Sequence, residues 1–171
     1  MSIEIPSENY EEYGDIHKTL QHILDTIVAN YTSAGIDLPE RRFTAIGDVA
    51  SSVANDCEQV TVNFVQAYLG QPGQPDVLPF GCPPAMSGDF VAQVTRCVPG
   101  ATATGRGIPK APTVEAIEAS TLVQAVDAQI LLQSAFDLSS IQGKSATVAP
   151  SGSDGQFQSI MLNLSISLFR V

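Results

Sequence analysis

Apolar and polar positions alternate almost without fault over the last sixteen residues before the final valine, Gly155–Arg170. Ile160, Leu162, Leu164, Ile166 and Leu168 fall on one face, and Ser159, Asn163, Ser165 and Ser167 on the other. A period of two over that length predicts one long strand with a dry face and a wet face. Ten or more such residues span roughly 33 Å, beyond an ordinary strand of five or six. A different period governs the stretch after residue 15. Ile16, Leu20, Ile23, Ile27, Tyr31 and Ala34 recur every three or four residues, the single apolar stripe of an amphipathic helix. Asp15 is placed to cap its start, and Gly35 to end it in the left-handed conformation.

Between these two elements the pattern is shorter and more broken. Arg41–Gly47 reads as a short strand ending in a glycine turn, and Asp48–Ala54 as a small-residue connector. Glu58–Tyr68 is a second strand, with Val60, Val62 and Phe64 on one face and Thr61 and Asn63 on the other. Proline and glycine then crowd a loop at about residues 70–88, densest from Gly70 to Pro84, which excludes helix and central strand. The loop separates Glu58–Tyr68 from a third strand, Asp89–Val98, as a long excursion from a hairpin. A second Pro/Gly stretch, Pro99–Pro112, leads into a helix capped by Thr113 and running to about Phe136 or Asp137. Ile117, Ala125, Ala128, Leu132 and Phe136 mark one side of it, and Leu122, Val126 and Ile130 widen that side. So broad an apolar surface predicts contact with more than one neighbour. A short strand at Ala146–Ala149 and a turn at Pro150–Gly155 precede the terminal strand.

The order α-β-β-β-α-β predicts an α+β fold: a mainly antiparallel sheet of about four strands packed by two helices. Neither an internal repeat nor a domain boundary is visible. Residues 1–171 read as one domain with an acidic arm at about residues 1–14 and the Pro/Gly-rich loop at about 70–88.

Composition narrows the function classes. Hydrophobic residues make up 44% of the chain and charged residues 15%, which suits a packed core and argues against disorder. No apolar run approaches the eighteen or so residues that cross a bilayer, and the N-terminus lacks the basic start and apolar centre of a secretion signal. The expectation is a protein made in the cytosol with no membrane partner. The net charge is −10, of which residues 1–58 carry −8. A surface this acidic repels phosphate and argues against tight nucleic-acid binding. Cys57, Cys82 and Cys97 are too few and too odd in number for a secreted disulfide framework, so buried thiols are the default expectation. A Cys57–Cys97 bridge is the minority alternative, since antiparallel pairing brings their strand ends together.

Candidate chemistry is sparse. His17 and His22 are five apart on the first helix, about 140° out of register, where joint metal ligation needs four. Cys57 stands between Asp56 and Glu58, whose charges raise a thiol pKa when a nucleophile needs it lowered. Gly105-Arg106-Gly107 lacks the Lys-Ser/Thr of a phosphate loop and reads as a mobile turn. No catalytic, cofactor or metal residue is predicted. Arg41 and Arg42, the only basic pair, read either as cations for an acidic patch on a neighbouring subunit or as a pair split by strand alternation, one wet and the other pinned at the sheet edge; with Arg106 they are the candidate subunit-interface residues.

Several segments together resemble the tail terminator proteins of long-tailed actinobacterial phages. They are Leu38–Gly47, Asp56–Val62, Val94–Pro99 and Gly155–Gln158, the last opening the terminal strand. The resemblance runs from about residue 15 to the C-terminus and is carried by the order and spacing of these segments; the acidic arm and Gly70–Pro84 match least. It implies a virion structural protein and not an enzyme. Such proteins form a homohexameric ring on the head-proximal end of the tail tube, end tube polymerisation, and present a surface to the head-tail connector protein. Genome DNA passes through the ring without specific binding, and an acidic lumen would keep that passage slippery. The alternatives are another neck protein, such as a head completion or connector ring subunit, and a small enzyme using Cys57.

Overall fold

The computed structural model describes residues 15–47, 58–75, 86–97, 102–103, 109–138, 144–154 and 157–169. Two helices cover one face of a five-stranded sheet, an α+β fold. Helix α1 (Asp15–Ala34) is followed by strands β1 (Arg41–Ile46), β2 (Gln59–Leu69) and β3 (Met86–Cys97). A small hairpin, β4 (Thr102–Ala103) and β5 (Pro109–Lys110), precedes helix α2 (Val114–Asp137). Strands β6 (Lys144–Asp154) and β7 (Phe157–Phe169) complete the order.

The main sheet runs β1-β2-β3-β7-β6. Every pairing is antiparallel except β1 with β2. Twelve residues separate Ile46 from Gln59, about the length a crossover between parallel neighbours requires. The terminal strand occupies an inner position between β3 and β6, which explains its length: it has a partner along both edges.

Local sequence accounts for most element boundaries. Gly35 sits at φ +65°, its N–H donates to the Thr32 carbonyl at 3.1 Å, and the Ile36 N–H donates to the Tyr31 carbonyl at 3.2 Å. These are the paired bonds of a left-handed C-terminal cap, closed where glycine costs least. At the other helix, Thr113 caps α2 by accepting from the Ala116 N–H at 3.2 Å. Asp15 is itself the first helical residue of α1.

The core lies between the helices and one face of the sheet. Leu20, Ile23, Leu24, Ile27 and Tyr31 of α1 meet Val60, Val62, Phe90, Ala92 and Val94, and α2 meets Ile160, Leu162, Leu164 and Ile166. α1 lies over the β1–β2 side and α2 over the β7–β6 side. Gly88 sits at a close approach: a Cβ there would stand 2.8 Å from Leu168 Cδ1 and 3.2 Å from ring atoms of Phe64 and Phe90.

Four expectations change. β6 is no four-residue strand followed by a turn; it continues through Pro150 to Asp154, with a register irregularity after Ser151. Proline is tolerated there because β6 is an edge strand, where a missing N–H breaks no second ladder. The loop expected at about 70–88 is shorter, since β2 reaches Leu69, β3 begins at Met86, and Gln71 bridges Gln74 in a tight turn. The stretch expected as a mobile turn holds the β4–β5 hairpin, with Thr102 paired to Lys110 and Ala103 to Pro109. The polar face of the sheet is not uniformly wet: Gln59, Thr61, Thr95 and Ser159 are buried, and Thr95 and Ser159 share a hydroxyl hydrogen bond at 2.9 Å. The arm at 1–14, the connector at 48–54, Cys57, Cys82 and Arg106 lie outside the described residues.

Candidate interaction surface

α2 buries only part of the apolar surface that its hydrophobic pattern marks. Its inward residues are Asp127, Ile130, Leu131, Ser134 and Ala135, while Leu122, Leu132 and Phe136 point outward. Of the expected stripe, Ile117, Ala125, Leu132 and Phe136 are exposed and Ala128 is half-buried; of the residues expected to widen it, Leu122 is exposed, Val126 packs against the core and Ile130 is buried.

A buried ionic clamp sets that rotation. Asp127 is 1% exposed, and both its carboxylate oxygens are held by Arg96, from Nε at 3.0 Å and from Nη2 at 3.0 Å. The hydroxyl of fully buried Tyr31 donates to the same carboxylate at 2.5 Å. Arg96 Nη2 also donates to the Asp37 carbonyl at 3.2 Å, and Nη1 lies 3.3 Å from Glu58 Oε2. One guanidinium thus joins β3, α2, the segment after α1 and the start of β2. Burial opposes the charge on Arg96, but hydrogen bonding and the charge of Asp127 outweigh it, with Tyr31 and Glu58 adding to the effect, so its pKa rises above an already high value. Burial, then the hydrogen bond and charge of Asp127, pushes the Tyr31 hydroxyl well above its ordinary range. Both groups hold their protons at any physiological pH. This is a structural fixture and not an acid–base pair.

A second tie fixes the C-terminal half of α2. Asn30 Nδ2 donates to Ser134 Oγ at 3.0 Å and to Asp137 Oδ2 at 2.9 Å. Ser134 Oγ donates in turn to the Ile130 carbonyl at 2.8 Å. Satisfied polar groups at 127 and 134 can face the core beside Ile130, Leu131 and Ala135, so Leu122, Leu132 and Phe136 are left for the outside.

The outward surface is extensive. At 100° per residue, Glu118, Leu122, Ala125, Gln129, Leu132 and Phe136 cluster around the direction opposite Asp127 and Ser134. Leu122 is 67% exposed, Leu132 62% and Phe136 70%, and Val114 continues the strip toward the helix start. Glu115, Glu118, Asp127 and Asp137 are the only charged residues of α2, which carries no Lys or Arg. Beside the strip, a cleft of about 400 Å³ opens between α1 and α2, floored by Ile36, Val126 and Ile130 and rimmed by Asn30 and Gln133.

The other predicted positions fall elsewhere. Arg41 and Arg42 lie on β1, the opposite edge of the sheet; Arg41 stacks on Phe43 with 5.1 Å from guanidinium carbon to ring centroid, and Arg42 is exposed. His17 and His22 are both exposed on α1. Among the described residues no three His, Cys, Asp or Glu side chains gather as a metal site. Asp89 accepts from Gln66 Nε2, Tyr68 OH and Ser165 Oγ at 2.7, 3.1 and 2.6 Å, which ties three strands. Cys97, expected as a buried thiol, is exposed at the end of β3 and disulfide-bonded. No helix among the described residues is long and apolar enough to cross a membrane. Sequence reasoning missed the Arg96–Asp127–Tyr31 clamp. The available signal was Asp127 as the only charged residue of the helix segment Leu122–Leu132, and a lone Arg inside a strand.

No protein-family model matches this chain, and no curated protein matches it.

Proposed function

We propose that this protein is a ring-forming structural subunit of a phage tail, of the tail-terminator type, which caps the head-proximal end of the tail tube and joins it to the head connector. The observation that carries this reading is the outward apolar face of α2. A 24-residue helix rarely presents Leu122, Leu132 and Phe136 to water unless another protein covers them. The resemblance of Leu38–Gly47, Asp56–Val62, Val94–Pro99 and Gly155–Gln158 to tail terminators supplies the particular assembly. An α+β fold of two helices on one sheet face agrees with the fold expected for that family.

The partners on this reading are other copies of the chain, in a homohexamer, then the tube subunit on one ring face and the connector on the other. The chemistry asked of the chain is packing. The deep Arg96 clamp and the inner position of β7 tie the helices and the sheet into one body, and a ring repeats one heterologous contact between such bodies. The charge of −10 discourages DNA from adhering to the ring wall.

The test is whether the purified protein limits tube growth. Tube subunits polymerised in the presence of this protein should stop at short lengths and carry it at one end by electron microscopy. Native mass spectrometry should give a particle near six times 18.0 kDa. Unchanged tube growth, together with capture by portal-side proteins instead, would reassign the chain to a different neck component.

A further inference from the structure

We infer that the ring contact is head-to-tail, with the exposed β1 edge of one copy, Arg42 and Ile46, seated on the outward face of α2 of the next, Glu118 and Leu122. The inference rests on the ring reading above and names the two surfaces that meet. Three observations carry it.

The first is placement. β1 is one edge of the sheet, and α2 lies over the β7–β6 side at the other. A ring needs two unlike patches on opposite flanks of each subunit, so that one docks on the other around the circle. A patch contacting its own copy on the same flank closes a dimer and stops.

The second is charge. α2 has two exposed acids on its first turns, Glu115 and Glu118, and no cation along its length. Arg42 is exposed and has no ion-pair partner among the described residues. Copies that each carry −10 repel one another on average, so association is favoured where a cation of one faces acids of the next.

The third is the apolar match. Ile46 is 67% exposed on the same side of β1 as Arg42, four residues along the strand. That places it about 13 Å from Arg42. On α2, Glu118 precedes Leu122 by about 6 Å along the helix axis and Glu115 precedes it by about 10 Å. An arginine side chain takes up the difference. Each patch therefore presents a charge at one end and a large aliphatic side chain at the other, with opposite signs on the two flanks.

The test uses the full chain and three variants at exposed positions, with far-UV circular dichroism to show that each remains folded. Arg42→Glu and Glu118→Arg should each weaken self-association about tenfold or more, as loss of a central contact does, read by analytical ultracentrifugation and native mass spectrometry. Mixing these two variants in equal amounts should restore the full-size assembly. In a ring where they alternate, every junction again sets a cation against an acid: half the junctions keep the natural pair, and half carry it with the signs exchanged. Leu122→Asp should abolish association alone and in every mixture. A natural chain that assembles while all three variants also assemble overturns this contact and leaves the ring reading standing. A natural chain that stays monomeric to about millimolar concentration, where even weak specific contacts are populated, counts against both.

Discussion

Replacing Arg96 by methionine should cost this protein a large part of its stability. Arg96 donates two hydrogen bonds to Asp127 at 3.0 Å each and one to the Asp37 carbonyl at 3.2 Å, and is 8% exposed. Methionine fills similar volume but leaves a carboxylate 1% exposed with the Tyr31 hydroxyl as its remaining side-chain donor. Breaking a buried pair from one side costs about 3–5 kcal/mol, because the surviving charge is stranded. The exposed partner contributes little: Glu58, with its side chain 53% exposed, adds under about 1 kcal/mol. For a chain of this size, a loss of 3–5 kcal/mol lowers Tm by about 6–20 °C. The assay is urea unfolding followed by circular dichroism, with Arg96→Met, Asp127→Leu and the double variant compared in a cycle. The double variant should recover most of the loss, since replacing both charges with apolar groups is close to neutral. Because the clamp fixes the rotation of α2, Arg96→Met should also weaken self-association beyond what stability alone explains. An Arg96→Met variant that loses less than about 1 kcal/mol would refute the claim that this clamp sets the packing of α2, as would a double variant no better than the worse single one.

Other perturbations have separate outcomes. Gly88→Ala should destabilise by about 1–3 kcal/mol in thermal unfolding, because its methyl group meets Leu168, Phe64 and Phe90 in a packed core. Phe136→Ser should change stability by less than about 0.5 kcal/mol yet reduce association, since that ring is 70% exposed in the single chain. Thr113→Ala should cost about 1 kcal/mol by removing the acceptor for the Ala116 N–H, with no effect on assembly of the folded protein. Reducing the Cys97 disulfide should cost about 2–4 kcal/mol.

The terminal strand and α1 were legible in the sequence because each has a single strong period and one buried face. Ile160, Leu162, Leu164 and Ile166 are buried as their alternation predicts, and so are Leu20, Ile23, Ile27 and Tyr31 on a 3.6-residue period. Local backbone chemistry was equally readable: Gly35 takes the left-handed cap, and Thr113 caps α2. These features depend on residues within one turn or one strand of each other. What period reading could not supply was the choice between two faces of α2, both rich in apolar residues. That choice is made by Asp127 and Ser134, whose partners Arg96, Tyr31 and Asn30 come from other elements and from as far as 104 residues away in sequence. The extent of β6 was hidden for a related reason, since only its position at the sheet edge makes Pro150 acceptable. Arg41 and Arg42 stood out in the sequence as interface candidates, but the surface opposite them on the far flank did not. Periodicity records how much apolar surface an element carries, while the tertiary pairing of a few buried charges decides which part of it is left for a partner.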